Sequence, residues 1–316
     1  MSPVETPVEK WSGAVREVTL GGGTRTSTVT VGGETALPFL SFEGAMPNRP
    51  VIAVEIADVR PDDWSSELQD AWGDVLGDPA AWAAAAVEKG ADLIALSLKG
   101  CHPDNGDMDA AHAVEVVKAV LSAVGVPLLV YGPGVADKDN DVLVAVAEAT
   151  KGEQLALGIC EEKNYRTIVA AALGNGHAVI AETPIDVNLA KQLNILISDM
   201  GLGLERVLMD PNTGALGYGI EYTYSVMERL RLAALMGDTM TQQPMICQVG
   251  VEAWRQKEAK AADVPAGWGG LSTRGVAWEV STAVTLLESG ADVLLLRHPS
   301  SVAAVRGAID DLTKGA

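Results

Sequence analysis

The sequence predicts an α/β protein of the (β/α)8 TIM-barrel class with a short N-terminal β-hairpin extension. From Pro50 onward, eight short aliphatic runs alternate with eight longer stretches of helical periodicity. Continuous apolar runs suit parallel strands that are covered on both faces. The eight strand–helix units occupy about 260 residues, which is the usual size of such a barrel. Together, the repeat and the length favour a single barrel.

The main alternative is a doubly wound open sheet, which also alternates strands and helices. Such folds often carry a glycine-rich phosphate-binding turn after their first strand. Here the first strand of the repeat is followed by residues 57–61, Ala-Asp-Val-Arg-Pro, which contain no glycine. We therefore favour the barrel.

Residues 1–49 differ from the rest of the chain. Two β-prone stretches, 14–20 and 27–31, flank a glycine-rich segment that reads as a hairpin turn. The region is too short to bury a core of its own, so we predict an N-terminal hairpin and cap segment at 1–49. The barrel domain is then predicted to span 50–316.

The predicted barrel elements follow in strict alternation. The strands are expected at 51–57, 93–98, 128–131, 155–160, 178–181, 207–209, 245–249 and 293–296. The helices are expected at 80–89, 108–124, 139–150, 164–173, 187–200, 221–236, 274–288 and 300–312. Local signals support these assignments: Asp78 and Pro79 are typical of a helix N-cap and its first position. A Gly-Ala-Asp join also recurs before two strands, at Gly90 and at Gly290.

Composition limits the possible partners and locations. The formal net charge is −19, with no basic cluster, which argues against nucleic acid or an anionic membrane as a ligand. No apolar run is long enough for a transmembrane helix, and the first residues do not resemble a signal peptide, so a cytoplasmic protein is expected. Three scattered cysteines and four histidines show neither a disulfide framework nor metal-ligand spacing, so no metal site is predicted in this chain.

Polar residues gather in the loops that follow the predicted strands, where barrel enzymes carry their active sites. The loop after the sixth strand, 210–222, has glycines at 214, 217 and 219, which let a backbone approach a broad ligand closely. Glu182 and Asp210 are candidates for a general acid–base pair, although carboxylates also brace loops at a barrel rim. We find no nucleophile-elbow, phosphate-loop or zinc-protease motif. From these residues alone, the chain is a ligand-binding barrel.

Four segments carry a resemblance to a known family. They are 164–168 (NYRTI), 186–196 (DVNLAKQLNIL), 209–229 (MDPNTGALGYGIEYTYSVMER) and 250–254 (GVEAW). They resemble the small (delta) subunit of the corrinoid/iron–sulfur protein of the acetyl-CoA decarbonylase/synthase complex, and the likeness extends over nearly the whole chain. The 209–229 segment is the most specific part of the match.

The resemblance implies a non-catalytic methyl-carrier subunit that forms a heterodimer with a large corrinoid/iron–sulfur subunit. The implied cofactors are a corrinoid (cobalamin) shared with that subunit and a [4Fe–4S] cluster held by the partner. The other implied partners are a methyltetrahydrofolate methyltransferase, which donates the methyl group, and acetyl-CoA synthase, which receives it. No catalytic residue is predicted. The candidate corrinoid-binding residues are Thr183, Asn212, Thr213, Gly214, Leu216, Tyr218, Gly250, Arg297 and His298.

Two other hypotheses remain open at the level of sequence. The chain can be a methyltetrahydrofolate:corrinoid methyltransferase of related barrel type, in which Glu182, Asp210 and Asn212 bind the pterin itself. It can also be a barrel that only scaffolds an assembly through its acidic surface.

Overall fold

The computed structural model describes residues 6–314 of the 316-residue chain. Eight parallel strands form a closed barrel in the order β10-β3-β4-β5-β6-β7-β8-β9, which confirms the predicted fold class. The barrel strands are β3 (Val51–Ala57), β4 (Leu93–Ser97), β5 (Leu128–Tyr131), β6 (Ala156–Cys160), β7 (Ala178–Glu182), β8 (Val207–Asp210), β9 (Met245–Cys247) and β10 (Ala291–Leu296).

A helix follows each barrel strand and packs on the outside of the barrel. These helices are α2 (Pro79–Glu88), α3 (Ala110–Ala123), α4 (Ala136–Ala149), α5 (Tyr165–Asn175), α6 (Val187–Asp199), α7 (Ile220–Leu235), α10 (Leu271–Glu288) and α11 (Pro299–Leu312). The Asp78 side chain accepts hydrogen bonds from the backbone N–H groups of Ala80 and Ala81, as its position before Pro79 predicts. None of the helices within residues 6–314 is long and apolar enough to cross a membrane.

Several predicted boundaries were wrong. The helices predicted from 139 and 274 begin three residues earlier, at Ala136 and Leu271. The strand predicted over 245–249 ends at Cys247, because the backbone leaves the extended conformation at Gln248 (φ −82°, ψ 57°). Three short helices were not predicted: α1 (Ser66–Trp72), α8 (Val249–Ala253) and α9 (Lys257–Lys260).

The N-terminal hairpin closes the amino end of the barrel. Its strands, β1 (Val18–Leu20) and β2 (Val29–Val31), pair antiparallel and are shorter than the sequence predicted. Val18, Leu20 and Val31 are buried in the same apolar cluster as the inward-facing residues of the barrel. The turn is held by backbone hydrogen bonds from Gly21 and Gly22 to the segment before β6. Ligand access is therefore left to the opposite end, where the strands finish.

A buried ion-pair cluster joins the segment after the hairpin to the barrel. Arg231 of α7 contacts Glu34 (Nη1 to Oε2, 3.1 Å) and Asp292 of β10 (Nη2 to Oδ2, 2.9 Å). All three side chains are less than 8% exposed. Asp292 also accepts a hydrogen bond from the backbone N–H of Met245, so the cluster spans β9, β10, α7 and the N-terminal segment.

Candidate functional site

The floor of the barrel mouth is a ring of polar side chains. Each of the eight strands places an inward-facing residue in the buried interior cluster; these residues are Ala53, Ala95, Leu129, Ala156, Ile180, Leu208, Ile246 and Leu295. Side chains of a strand alternate between its two faces, so the next inward position lies one layer higher, at the mouth. These mouth positions are occupied by Glu55, Ser97, Tyr131, Glu182, Asp210, Gln248 and Arg297. On the eighth strand, β6, the corresponding residue is Gly158.

Glu182 and Asp210, the proposed carboxylate pair, are direct neighbours in the register of β7 and β8. The side-chain amide of Gln248 donates one hydrogen bond to Glu182 (2.9 Å) and one to Asp210 (2.8 Å). The second carboxyl oxygen of Asp210 accepts from the backbone N–H of Asn212 (2.9 Å). Asp210 is almost fully buried, whereas Glu182 remains partly accessible from the mouth.

This environment favours the protonated forms of both carboxyl groups. Burial, followed by the charge of Asp210, raises the pKa of Glu182 to about 8. Burial also raises the pKa of Asp210 to about 6, against the lowering effect of its hydrogen bonds from Gln248 and Asn212. At neutral pH, Glu182 is therefore mainly a neutral carboxylic acid.

The opposite side of the floor carries an ion pair. Arg297 contacts Glu55 through two nearly parallel hydrogen bonds, Nε to Oε2 (2.5 Å) and Nη2 to Oε1 (3.1 Å). The Lys99 ammonium lies 3.6 Å from Glu55, and both cations lie over the ring of Trp64. Although burial alone would raise it, Arg297 and Lys99 lower the pKa of Glu55. Glu55 is therefore ionised at neutral pH.

Two buried hydroxyl groups at the mouth have no hydrogen-bond partner among the described residues. They are Tyr131 Oη, on the floor, and Thr183 Oγ1, beside Glu182. Burial, and then the charges of Asp210 and Glu182, raise the pKa of Tyr131 well above its ordinary value. Buried polar groups in folded proteins are nearly always paired, so these two unpaired hydroxyls are exceptions that mark this part of the mouth.

A cavity of about 240 Å³ opens next to Glu182, between α6 and the loop after β6. Its lining combines three glutamates and one lysine with an apolar wall that includes Pro184 and three leucines of α6. The lining residues are Glu161, Glu162, Lys163, Glu182, Thr183, Pro184, Leu189, Gln192, Leu193 and Leu196.

Six of the nine candidate corrinoid-binding residues fall into two groups on the floor. Around Asp210, Thr183 donates its backbone N–H to the Asp210 carbonyl (3.1 Å), and the Thr213 hydroxyl accepts from the backbone N–H of Gln248 (2.9 Å). Asn212 lies in this group, is exposed and has a left-handed backbone (φ 66°).

The second group surrounds Arg297. Gly250 packs so closely that a Cβ atom there would lie 2.7 Å from the Arg297 backbone nitrogen. His298 stacks on Trp254, with ring centroids 5.7 Å apart, and its Nδ1 accepts from the backbone N–H of Ser300. Burial lowers the pKa of His298, so its imidazole is neutral at pH 7.

The remaining candidates lie farther along the β8–α7 loop, where Gly214 is buried and donates its backbone N–H to Thr223 Oγ1 (2.7 Å). The Leu216 backbone N–H donates to Thr282 of α10 (3.3 Å), and the Tyr218 hydroxyl donates to Glu258 of α9 (2.7 Å). Leu216 and Tyr218 therefore contact α10 and α9, away from the two groups on the floor. Corrinoid contact by any of the nine residues stays a prediction.

Sequence reasoning missed four members of the floor: Glu55, Ser97, Tyr131 and Gln248. Each was assigned to a strand or its end without a role, because the apolar runs were interpreted as uniformly buried. The available signal was the two-residue alternation within each run, which places a polar residue at the last inward position.

The raised pKa of Glu182 predicts a pH-dependent stability. The unfolded chain releases this proton near pH 4.5, whereas the folded chain retains it up to about pH 8. This contribution to stability is complete below pH 4.5 and is lost as the pH rises through 8. Between pH 5 and 8.5, the free energy of unfolding of Glu182→Gln should therefore rise by about 1–3 kcal/mol relative to that of the parent. This is less than the full pKa shift implies, because Glu182 is partly exposed and solvent screens its charge.

Urea unfolding of both proteins across this pH range measures the difference. Glu162→Gln, at an exposed glutamate on the rim of the same cavity, is the matched control and should show a flat difference. A pH-independent difference for Glu182→Gln would mean that Glu182 is ionised in the folded protein.

The packing of Gly214 predicts that even a methyl group will disturb the β8–α7 loop. A Cβ atom at this position would lie 2.6 Å from the backbone carbon and oxygen of Gly219, which cannot rotate away. Gly214→Ala should therefore cost about 1–3 kcal/mol of stability and increase protease cleavage within residues 211–219. Gly217→Ala is the control variant. It introduces backbone strain without a steric clash, because only Trp278 lies within 4 Å of its Cβ position. Equal protease sensitivity of the two variants would contradict the clash.

The model of the CO dehydrogenase/acetyl-CoA synthase delta-subunit family matches residues 17–313. The chain belongs to this family. Delta subunits of acetyl-CoA decarbonylase/synthase complexes are similar to it along nearly its whole length. The subunit of Archaeoglobus fulgidus is 38% identical, and the match covers 96% of this chain and 70% of that subunit. The subunit of Methanopyrus kandleri is 39% identical over 96% of this chain and 76% of its own length.

Among solved structures, this delta-subunit family member is similar in fold to dihydropteroate synthases. The enzyme of Xanthomonas albilineans with 4-aminobenzoic acid superposes with a TM-score of 0.59 at 15% identity, covering 88% of this chain and 98% of that chain. The Coxiella burnetii enzyme in complex with pteroic acid gives a TM-score of 0.58 at 14% identity, over 88% of this chain and 97% of that chain. At this identity the likeness concerns the barrel fold alone.

Proposed function

We propose that this chain is the small subunit of a corrinoid/iron–sulfur methyl-carrier protein, and that its barrel mouth forms one wall of the corrinoid chamber. Membership of the delta-subunit family supports the methyl-carrier role. The observation that carries the proposal is the polar floor with the unpartnered hydroxyls of Tyr131 and Thr183. A ligand with many hydrogen-bonding groups at its edge satisfies such a floor.

The floor suits a broad polar-edged ligand better than a small reactive substrate. Corrin rings carry carboxamide side chains around their periphery, and these groups both donate and accept hydrogen bonds. The donors and acceptors of the mouth come from different strands and lie on both sides of the barrel axis. When bound, the corrinoid supplies the methyl-transfer chemistry through its cobalt, and the protein contributes orientation and shielding.

The residues of this chain have binding and positioning roles in this proposal. Asp210 is buried and held by Gln248 and Asn212, and Glu55 is neutralised by Arg297, so both serve as fixed parts of the wall. His298 is neutral and stacked on Trp254, which leaves its imidazole as packing at the rim. We assign no catalytic residue to this chain.

The proposed partners follow from the family. A large subunit holding a [4Fe–4S] cluster would cover the mouth and share the corrinoid. A methyltetrahydrofolate methyltransferase would load the methyl group, and acetyl-CoA synthase would take it. The three buried cysteines of this chain suit an arrangement in which the cluster belongs to the partner.

Coexpression with the cysteine-rich large subunit tests the proposal. The two chains should elute together from a size-exclusion column, and the complex should show the visible absorption spectrum of a corrinoid. A colourless and monomeric chain, recovered from cells that supply both corrinoid and partner, would contradict it.

The second candidate function is a methyltetrahydrofolate:corrinoid methyltransferase that binds the pterin itself. The adjacency of Glu182 and Asp210 favours it, because paired carboxyl groups can accept hydrogen bonds from a pterin's N–H groups. Calorimetric titration of the isolated chain with methyltetrahydrofolate separates the candidates. Micromolar binding supports the methyltransferase, and no binding at millimolar ligand supports the carrier subunit.

A further inference from the structure

A groove lies on the outside of the barrel, at the end opposite the mouth. The barrel helices run antiparallel to the strands, so α7 and α10 both end near the amino end of the barrel. The segment 37–40 lies against these two helix ends and borders with them a cavity of about 270 Å³. Its lining includes four apolar residues and two glutamates, namely Leu37, Pro38, Leu40, Leu232, Glu228 and Glu288. This groove is separate from the polar floor of the mouth.

Exposed apolar side chains continue the surface on both sides of the groove. Leu232 is 38% exposed, and Met236, one helical turn farther along the same face of α7, is 71% exposed. Phe42, in the turn that follows the segment 37–40, is 54% exposed. We call the groove together with Phe42 and Met236 the amino-end patch. Contiguous apolar surface of this kind is typical of a contact with another protein.

The charge of the groove is negative and is not balanced within the chain. Glu228 and Glu288 are exposed, and neither forms an ion pair with another residue within 6–314. Arg231 also borders the groove, but its guanidinium points inward to the buried carboxyl groups of the ion-pair cluster. Arg229, which follows Glu228 on α7, does not line the groove. A cation that enters the groove therefore meets two carboxylates without a competing partner.

We propose that the amino-end patch docks another subunit of the complex, which inserts a lysine or arginine side chain into the groove. These side chains have an apolar stem below a charged head, so the stem packs on the leucines and the head pairs with the glutamates. The cavity is smaller than the roughly 300–1,000 Å³ typical of drug-sized ligands, which suits a single side chain. The inference rests on the proposed function only in assuming that other subunits assemble with this chain.

A partner with a basic residue fits the patch better than two other occupants. A free organic cation would fill the groove but leave Phe42 and Met236 exposed. A second copy of this chain, which has a net charge of −19, would meet the patch through the same patch in a two-fold contact. Glu228 and Glu288 would then face their own copies, and like charges across an interface oppose binding.

Leu232→Arg should block the groove without unfolding the chain. The new arginine lies four residues after Glu228, the favoured spacing for an ion pair on a helix, so it takes the place of the partner's cation. The full-length chain is mixed with the purified large subunit, methyltransferase and acetyl-CoA synthase and followed by sedimentation velocity. Binding of one of these subunits should weaken by about tenfold or more. Leu173→Arg, at a leucine of α5 that is 44% exposed, is the matched control and should leave binding unchanged.

A second variant tests the charge and keeps the test valid if Leu232→Arg fails to fold. Combining Glu228→Gln with Glu288→Gln preserves the shape of the groove and should weaken binding of the same subunit about 3–10-fold at low salt. It should also reduce the loss of affinity that added KCl causes in the parent. Glu115→Gln combined with Glu148→Gln, at exposed glutamates of α3 and α4, changes the net charge equally and should have no effect. Unchanged binding by the groove pair would contradict the proposed cation.

Three further results would overturn the inference. One is unchanged binding of every subunit by a folded Leu232→Arg variant. Another is self-association of this chain alone that Leu232→Arg abolishes, which would assign the patch to a second copy. The third is a melting temperature that spermidine raises in the parent but not in Leu232→Arg, with assembly unchanged, which would assign the groove to a small cation. These measurements do not use the corrinoid, so an assembled but colourless complex would defeat the proposed function and leave the docking site intact.

Discussion

Arg231→Leu is expected to lower the free energy of unfolding by about 3–5 kcal/mol, because it leaves the Asp292 carboxylate and the Glu34 carboxyl group buried without the cation that both contact. The guanidinium of Arg231 bonds Glu34, Asp292 and the carbonyl oxygen of Gly290. Without the guanidinium, the N-terminal segment, β10 and the turn before β10 lose the one group that all three contact. Urea unfolding at pH 7 measures the difference.

The penalty should also depend on pH. Burial, and then the charge of Asp292, raise the pKa of Glu34 to about 8 in the parent, although Arg231 opposes this shift. Without Arg231, neither Glu34 nor Asp292 faces a cation, and each can avoid an unpaired buried charge by binding a proton. The penalty should therefore be smaller at pH 5 than at pH 8.

Arg49→Leu provides the control for this prediction. Arg49 pairs with Asp310 at 3.1 Å, but both side chains are about half exposed. Its loss should cost less than about 1 kcal/mol. Equal penalties at the two positions would show that the Arg231 cluster contributes no more than a surface ion pair.

The barrel could be predicted from the sequence because its signals are local and repeated. Each buried strand is a short aliphatic run, and several joins carry a glycine at the helix end, as at Gly90 and Gly290. The boundaries were less predictable. Gln248 follows an apolar run and precedes Val249, yet the chain turns there into a short helix, α8. Tertiary packing against α10 and β10, and not local propensity, decides that turn.

The candidate site was predictable only in part. The β8–α7 loop was visible as an unusual string of glycine, asparagine and tyrosine, and Glu182 and Asp210 were visible as carboxylates at strand ends. Their shared partner, Gln248, lies 38 residues beyond Asp210 and meets it only after the barrel closes. The pairing of Glu55 with Arg297 spans 242 residues. Contacts between the first and last strands of a closed barrel leave no trace in local sequence pattern.

Arg297→Leu is the second substitution that we expect to have a large effect. Arg297 bonds Glu55 through two nitrogens, and its own backbone N–H donates to Glu279 (2.6 Å). Leucine keeps the backbone contact and removes the cation, so the variant isolates the contribution of the guanidinium. Glu55 would retain only Lys99, at 3.6 Å. The expected loss of stability is about 3–5 kcal/mol at pH 7.

The direction of the pH dependence distinguishes this pair from the Glu182 side of the floor. In the parent, the lowered pKa of Glu55 contributes stability that is present above about pH 4.5 and is lost at lower pH. Without Arg297, burial should raise that pKa above its ordinary value, so that acid stabilises the variant relative to the parent. The double variant with Glu55→Leu removes both charges and should be more stable than Arg297→Leu alone. If the double variant is less stable than Arg297→Leu alone, the Glu55 carboxylate must have another stabilising partner on the floor. The nearest remaining cation is Lys99.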